Sequence, residues 1–347
     1  MPKVMVAMSG GVDSSVAAVL LLEQGYEVIG ATLRLYEKNG ICEEVAKAKE
    51  VCQKLGIPHF CFDMRSTFCE KVIKKFSAEY DLGLTPNPCI ECNIHLKFGA
   101  LYDKAMEMGC DFIATGHYCK VQRSGDKVAL IRAHDRKKDQ TYVLWHLDKE
   151  KLSHILMPLG EITKNEVKKI ADKYGFSSAH AKESQDICFV PDGDYVTFLE
   201  EYNGEKFKKG NYTDVEGNVL GRHNGHQCYT VGQRKGLQIA LGSPRYVVSK
   251  DAVGNTVVLS ENEKLLYKTK VLVRSFSLIS GERCESAFRC TAKLRYSAPD
   301  TECTVYPAGD NAIIEFDSPV RAPSPGQSAV FYDNDRVLGG AIIVKGE

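Results

Sequence analysis

The chain has no excess of charge of either sign, with 45 Lys and Arg residues against 45 Asp and Glu residues in 347. This balance argues neither for nor against nucleic-acid binding, so any RNA-binding face would have to be a local patch. The longest uncharged apolar run, Val16 to Leu22, is too short to cross a bilayer. The first residues also lack the charged and apolar regions of a signal peptide. We therefore expect a cytoplasmic protein that needs no membrane.

The sequence contains no internal repeat and no low-complexity tract, and its length predicts two or three domains. The first half alternates strand and helix signals, which predicts a doubly wound, mostly parallel sheet of the α/β class. Examples are a predicted helix over Glu43 to Leu55 and a capping box, Thr163-x-x-Glu166, at the start of another helix. Beyond Gly204, short apolar segments alternate with Gly- and Asn-containing turns, which predicts an all-β region with a second boundary near residue 267.

The segment Ser9-Gly10-Gly11-Val12-Asp13-Ser14-Ser15 carries the strongest functional signal. It lies between the apolar run Val4 to Met8 and the apolar-periodic run that starts at Val16, an order that predicts strand, turn and helix. Two glycines let backbone N–H groups approach a ligand, and the start of a helix adds positive partial charge. The segment therefore predicts a phosphate or pyrophosphate site, against the alternative of an ordinary strand-to-helix turn.

Two common phosphate motifs are missing from this segment. No Gly-Lys-Ser/Thr follows, so there is no P-loop lysine, and no third glycine completes a dinucleotide fingerprint. Asp13 would repel a bound phosphate unless a cation lies between them. We expect either a Mg²⁺ bridge or capping of the helix by Asp13 to resolve this repulsion.

Thirteen cysteines are many for a cytoplasmic chain, and in a reducing compartment they should not form structural disulfides. Most are expected to be small buried hydrophobic residues, namely Cys61, Cys69, Cys110, Cys228, Cys290 and Cys303. Cys89, Cys92 and Cys188 instead lie in predicted loops with unusual neighbours, and they need a chemical explanation.

Cys89 and Cys92 form a Cys-x-x-Cys in the predicted rigid loop Pro86-Asn87-Pro88-Cys89-Ile90-Glu91-Cys92-Asn93. A structural zinc site would usually need a second such pair, which the sequence lacks. With Cys188 as the third member, the pattern suits sulfur transfer through a persulfide, or an iron–sulfur cluster held by three thiolates. Coincidental burial of these thiols is the remaining alternative.

Taken together and in order, these segments resemble the tRNA-specific 2-thiouridylases, the MnmA/TrmU family of the PP-loop ATPases. The resemblance rests on the segments Ser9–Ser14, Pro86–Pro88, Ala114–Tyr118, Lys138–Tyr142, Ser184–Phe189 and Tyr229–Arg234. It covers essentially the whole chain. An ATP-dependent ligase that amidates a small adenylated acid is the competing class of enzyme.

The resemblance implies that ATP adenylates the C2 oxygen of the wobble uridine, position 34, of tRNAs for Lys, Glu and Gln. Sulfur then replaces that oxygen, and AMP and pyrophosphate are released. The implied domains are residues 1–203 for ATP binding and catalysis, 204–267 as a small central β-rich domain, and 268–347 as a C-terminal β-barrel. The implied partners are tRNA and a sulfur donor, either a persulfide carrier protein or sulfide, for a monomer or weak dimer.

The resemblance also implies roles for individual residues. ATP would contact Ser9, Gly10, Gly11, Val12, Asp13, Ser14, Leu35 and Gly116. The tRNA would contact Asn87, Pro88, Cys89, His117, Lys138, Asp139, Gln140, Arg295, Tyr296 and Gln327. Cys92 matches the nucleophile and Cys188 the persulfide-carrying cysteine, with Asp13 and Cys89 as further catalytic candidates.

One position departs from the family pattern, because many members have aspartate where this chain has Cys89. A thiol is a softer ligand than a carboxylate and favours iron. We therefore expect ATP and Mg²⁺ as cofactors, and we add a [4Fe–4S] cluster on Cys89, Cys92 and Cys188 as a hypothesis. For His117 and Arg295, plain structural roles at a strand end and on a solvated strand face are the alternatives.

Overall fold

The computed structural model describes residues 1–36, 43–125, 127–177 and 186–347. Its α-helices are α1 Val12–Glu23, α2 Glu43–Leu55, α3 Arg65–Phe68, α4 Lys74–Asp81, α5 Pro88–Cys92, α6 Leu101–Glu107, α7 Lys149–Ser153, α8 Lys164–Lys173 and α9 Tyr195–Asn203. Two π-helical segments, Cys69–Ile73 and Asn93–Ala100, join α3 to α4 and α5 to α6. In the part of the chain that is described, no helix is long and apolar enough to cross a membrane.

The strands fall into three sheets. They are β1 Lys3–Ala7, β2 Glu27–Arg34, β3 His59–Asp63, β4 Phe112–Ala114, β5 Cys119–Ser124, β6 Lys127–Arg132, β7 Ile155–Leu156, β8 Gly210–Thr213, β9 Val219–His223, β10 Tyr246–Asp251, β11 Thr256–Ser260, β12 Tyr267–Leu278, β13 Phe288–Lys293, β14 Thr301–Ala308, β15 Asn311–Arg321, β16 Ser328–Asp333 and β17 Arg336–Gly346.

The first sheet has the order β3-β2-β1-β4-β7, and each pair of neighbours is parallel. Val4 and Val6 of β1 pack on one face against α1, α2 and α8, while Met5 packs on the other face against α6 and the π-helical segment before it. Burial on both faces explains why β1 is a continuous apolar run. The arrangement confirms the predicted doubly wound fold, and the order in which strands are added reverses at β1, since β2 and β3 lie on one side of it and β4 and β7 on the other.

Helix α2 has the predicted bounds, and the predicted capping box at Thr163 is present. The backbone N–H of Glu166 donates to Thr163 Oγ1 at 3.3 Å, and the N–H of Thr163 donates to Glu166 Oε2 at 2.7 Å. This cap fixes the start of α8 at Lys164, next to the opening turn of the chain.

The rigid loop predicted for Pro86 to Asn93 is wrong, because α5 begins at Pro88 and runs without a break into the π-helical segment Asn93–Ala100. Asn87 is the N-cap, its Oδ1 accepting from the N–H of Cys89 at 3.2 Å, and Pro88 occupies the first helical position. Asparagine followed by proline is itself a helix-start signal. Cys89 and Cys92 therefore lie on a helix.

The expected burial of six cysteines holds for only some of them. Cys110, Cys290 and Cys303 are buried, Cys69 and Cys228 are half-buried, and Cys61 is exposed. Cys61 lies on β3, which is the edge strand of the parallel sheet, so its environment is more open than its apolar neighbours in the sequence indicate.

The C-terminal strands close into a barrel in the order β12-β15-β14-β13-β16-β17, because β12 also pairs with β17. This confirms the predicted barrel. The hairpin of β5 and β6, which was not predicted, attaches to this barrel through the pair Arg336 and Ile131. The central sheet, β10-β11-β8-β9, lies in sequence between the parallel sheet and the barrel strands β12 to β17.

Arg295 joins the barrel to the central part of the chain. Its Nη2 atom donates to Val231 O at 2.8 Å, to Ala322 O at 3.0 Å and to Ser324 Oγ at 2.5 Å. Burial lowers the pKa of this guanidinium. The Arg295 side chain thus makes its hydrogen bonds inside the protein, and it does not lie on a solvated strand face.

We expect Arg295→Met to destabilise the protein by about 2 kcal/mol, since a charged donor is lost and carbonyl acceptors are left without it. Urea denaturation without tRNA measures this effect, and Arg283→Met, at an exposed position on the same barrel, is the control. Equal stability of both variants and the wild type would show that Arg295 does not hold the domains together.

Candidate active site

The glycine turn after β1 leaves the start of α1 open. Gly10 has a φ of +73°, and a β-carbon there would lie 2.6 Å from Lys47 Cβ, so the position requires glycine. Gly11 is the N-cap of α1, and no side chain of the described residues caps this helix. Its first N–H groups are therefore available to an oxyanion.

Two serine hydroxyls lie at the same turn. Ser14 Oγ accepts from the N–H of Ser9 at 3.2 Å and lies 3.3 Å from Ser9 Oγ. It also donates to Gly11 O at 3.0 Å. These hydrogen bonds fix the curve of the turn and hold the two hydroxyls on one side of it.

Asp13 is neutralised by a lysine that the sequence did not reveal. Lys164 Nζ lies 2.6 Å from Asp13 Oδ1, and Tyr118 Oη donates to the same oxygen at 2.6 Å. The prediction that Asp13 caps the helix is wrong, because Asp13 lies in the first turn of α1 after the Gly11 cap. The cation next to Asp13 is an ammonium group brought by α8, which begins at Lys164.

Gly116, which follows β4, packs directly against the turn. A β-carbon at this position would lie 2.8 Å from both Asp13 C and Ser14 N. Only glycine lets the two backbones approach this closely. The ends of β1 and β4 therefore meet at one point, which is where ligands bind in open α/β sheets.

Cys92 lies in an apolar cluster at the end of β2. It is 8% exposed and packs with Phe68, Leu96 and Phe189, and Leu35 packs against the same cluster. Phe189 follows Cys188 directly, so the cluster brings the chain around Cys188 next to helix α5. Ser184 and Gln185, quoted in the motif before Cys188, lie outside the described residues.

The three thiols share one electrostatic environment. Burial is the largest cause that raises the pKa of Cys89, of Cys92 and of Cys188, the last to about 12, although Cys89 and Cys188 also have an exposed surface. Cys92 and Cys89 raise the pKa of Cys188 further, and Lys97 lowers the pKa of all three thiols. The resting thiols are therefore protonated, and Lys97 is the neighbour that favours their thiolates.

Cys188 and the glycine turn share a neighbour, Glu44 at the start of α2. Glu44 raises the pKa of the Cys188 thiol, and the carbonyl oxygen of Glu44 lies 3.0 Å from the position of a β-carbon on Gly10. The turn and the cysteines both lie at the carboxyl-terminal edge of the parallel sheet, because the turn follows β1 and Leu35, which packs in the cluster of Cys92, follows β2.

The described residues contain no group of three His, Cys, Asp or Glu side chains that could hold a metal ion. Cys89, Cys92 and Cys188 are close enough to affect one another, but their arrangement does not fit the ligand set of a [4Fe–4S] cluster. The cluster stays a prediction from the sequence.

Most residues predicted to contact tRNA have side chains that form hydrogen bonds within the protein. His117 is 8% exposed, with Nδ1 2.7 Å from Thr115 Oγ1, and burial lowers its pKa well below the usual value. Asp139 is buried and accepts from the N–H of Ala133 and from Thr141 Oγ1. Gln140 Oε1 accepts from the N–H of Tyr118 at 2.9 Å.

Tyr296 and Gln327 connect the barrel to two segments of the N-terminal part of the chain. One contains Asp139, and the other leads into α5. Tyr296 is 44% exposed, its hydroxyl donates to Asp139 O at 3.0 Å, and Cys89 is among the groups that raise its pKa. Gln327 Nε2 donates to Thr85 O at 2.7 Å, just before the Asn87 cap. Tyr296 is therefore an exposed aromatic residue within the electrostatic influence of Cys89. Lys138 is half-buried on the same connecting segment as Asp139.

We expect slow alkylation of Cys188 by iodoacetamide at pH 7.5, with a rate that is still rising above pH 10, because its thiolate forms only near pH 12. Lys97→Met should slow the reaction further. Lys104→Met, on the following helix α6, should leave the rate unchanged. Peptide mass spectrometry across pH measures all three rates, and a plateau below pH 9 would contradict the raised pKa.

Three family models match the chain in succession. They are the tRNA methyl transferase HUP domain over residues 2–192, the tRNA methyl transferase PRC-barrel domain over residues 196–261, and the aminomethyltransferase beta-barrel domain over residues 268–343.

Curated relatives match over nearly their full length. The chain is 47% identical to the tRNA-specific 2-thiouridylase MnmA of Acetivibrio thermocellus, covering 98% of this chain and 99% of that protein. It is 46% identical to MnmA of Carboxydothermus hydrogenoformans, over 99% and 98% of the two chains. A solved structure, the U34-tRNA thiolase NcsA from Methanococcus maripaludis with its [4Fe–4S] cluster, is far more distant, with a TM-score of 0.37, 21% identity, and coverage of 58% of this chain and 66% of that one.

Proposed function

This chain belongs to the tRNA-specific 2-thiouridylase family, and we propose that it replaces the C2 oxygen of a tRNA wobble uridine by sulfur at the expense of ATP. The tRNAs would be those for Lys, Glu and Gln, with uridine at position 34 as the target. The observation that carries the proposal is the placement of an open helix N-terminus and two family cysteines at the carboxyl-terminal edge of one sheet. Residues 1–203 would form the catalytic domain, 204–267 the central domain and 268–347 the barrel.

The glycine turn supplies the activation step. The pyrophosphate part of ATP would lie on the N–H groups at the start of α1, with Ser9 and Ser14 beside it. The C2 oxygen of the uridine attacks the α-phosphorus, a C2–O–P bond forms, and pyrophosphate leaves. A Mg²⁺ ion would offset phosphate charge, with the Asp13 carboxylate and the Ser14 hydroxyl as its protein ligands.

The uridine has to leave its stack to reach this site. Tyr296, which is exposed and within the electrostatic influence of Cys89, would supply an aromatic surface, and unstacked bases bind to such surfaces in single-stranded RNA recognition. Asn87 and Pro88 start the helix that carries both cysteines, so a base held there would face Cys89 and Cys92.

A persulfide carrier protein first passes its outer sulfur to the Cys188 thiolate and keeps its own thiolate as the leaving group, and sulfur transfer to the base follows in two steps. The terminal sulfur of a persulfide on Cys188 attacks C2, a C–S bond forms, and the C2–O bond breaks so that AMP leaves. The Cys92 thiolate then attacks the Cys188 sulfur, which breaks the S–S bond to the base and forms a Cys92–Cys188 disulfide. The base keeps the sulfur, and a cellular thiol reductant returns the two cysteines to thiols.

We expect the gene to restore 2-thiouridine in tRNA of a bacterial strain that lacks its own thiouridylase, as measured by nucleoside mass spectrometry. Cys92→Ser and Cys188→Ser should each abolish the restored signal, because each removes a sulfur that changes partners in the transfer. Cys61→Ser, at an exposed position on β3, is the matched control and should restore 2-thiouridine fully. Wild-type protein that leaves 2-thiouridine absent would refute the proposed function.

Cys89→Ser separates the persulfide route from the cluster hypothesis. The persulfide route predicts substantial activity for this variant, since Cys89 exchanges no bond in it. Loss of activity together with loss of iron and sulfide from anaerobically purified protein would instead favour the cluster. The two readouts are made on the same preparation.

A further inference from the structure

The ammonium group of Lys164 is almost enclosed at the phosphate turn. Lys164 is 7% exposed, and its Nζ lies 2.6 Å from Asp13 Oδ1 in the first turn of α1. An ammonium this deeply buried is costly unless it is paired, and the pairing with Asp13 keeps the Lys164 ammonium next to the open N-terminus of α1.

Four further features hold this charge in place. The capping box at Thr163 fixes Lys164 as the first residue of α8, and the N–H of Lys164 donates to Asp135 Oδ2 at 3.1 Å. The Tyr118 ring lies 5.6 Å from Nζ, and the Tyr118 hydroxyl shares the Asp13 oxygen. Two elements that are distant in sequence thus converge on one ammonium group beside the turn.

We propose that Lys164 contacts the phosphates of ATP and supplies the positive charge that the glycine turn lacks in its own sequence. This inference deepens the proposed function and rests on it. In the resting protein Asp13 holds the ammonium group. When the nucleotide binds, the ammonium group donates to a phosphate oxygen, and the Asp13 carboxylate turns toward the metal ion that accompanies ATP.

A simpler role would be that Lys164 only neutralises Asp13. The two roles differ when both charges are removed together. Neutralisation predicts that the pair Asp13→Asn with Lys164→Met binds ATP as well as the wild type, because the repulsive carboxylate is gone too. A phosphate contact predicts that this double variant still binds ATP weakly.

The experiment measures the dissociation constants of ATP and adenosine by calorimetry in EDTA, so that binding of a metal ion to Asp13 plays no part. We expect Lys164→Met and the double variant to weaken ATP binding about ten- to hundredfold, the size of a lost charged hydrogen bond. Adenosine binding should not change. Lys169→Met, on the exposed side of α8, is the control and should bind ATP normally.

Removing both partners of a buried pair is better tolerated than removing one, so the double variant keeps the test valid if Lys164→Met does not fold. Wild-type affinity for ATP in Lys164→Met or in the double variant would overturn the inference and leave the proposed function intact. Wild-type protein that binds ATP neither in EDTA nor with Mg²⁺ supplied would overturn both.

Discussion

The close approach of the Gly116 backbone to Asp13 and Ser14 is the constraint on which the site depends. A single β-carbon at Gly116 would lie 2.8 Å from two backbone atoms of the turn. This contact joins the ends of β1 and β4 at the point where the sheet order changes direction. It places the start of α1 beside Tyr118, which follows Gly116 closely in the chain, and Tyr118 in turn donates to Asp13. The chemistry proposed for the turn therefore depends on backbone packing, which in turn determines where the side chains lie.

The barrel contacts the segment that leads into α5, the helix that carries Cys89 and Cys92. Gln327 donates to Thr85 O ahead of the Asn87 cap, and the Tyr296 hydroxyl donates to Asp139 O. Arg295 fastens the same part of the barrel to Val231 O. Through these contacts the barrel positions the segment that leads into the helix of Cys89.

The features that could be predicted from the sequence are those that depend on residues close together in the chain. The strand–turn–helix order around Gly10 and the bounds of α2 depend on neighbouring residues, and so does the cap at Thr163. The pair of Asp13 and Lys164 could not be predicted, because its partners are 151 residues apart and only the packing of α8 on α1 brings them together. The α5 start was readable in principle from Asn87 and Pro88, but the Cys-x-x-Cys that follows favoured a loop interpretation. The inward positions of His117 and Asp139 follow from tertiary burial, which a motif match does not report.

The central claim is that the turn activates the C2 oxygen of uridine as a leaving group, and the fate of that oxygen tests it most directly. tRNA carrying ¹⁸O at C2 of uridine 34 is incubated with the protein, ATP and a sulfur donor, and the AMP produced is analysed by mass spectrometry. The account predicts that the label appears in the phosphate of AMP, in proportion to the 2-thiouridine formed. Formation of 2-thiouridine with unlabelled AMP would contradict it.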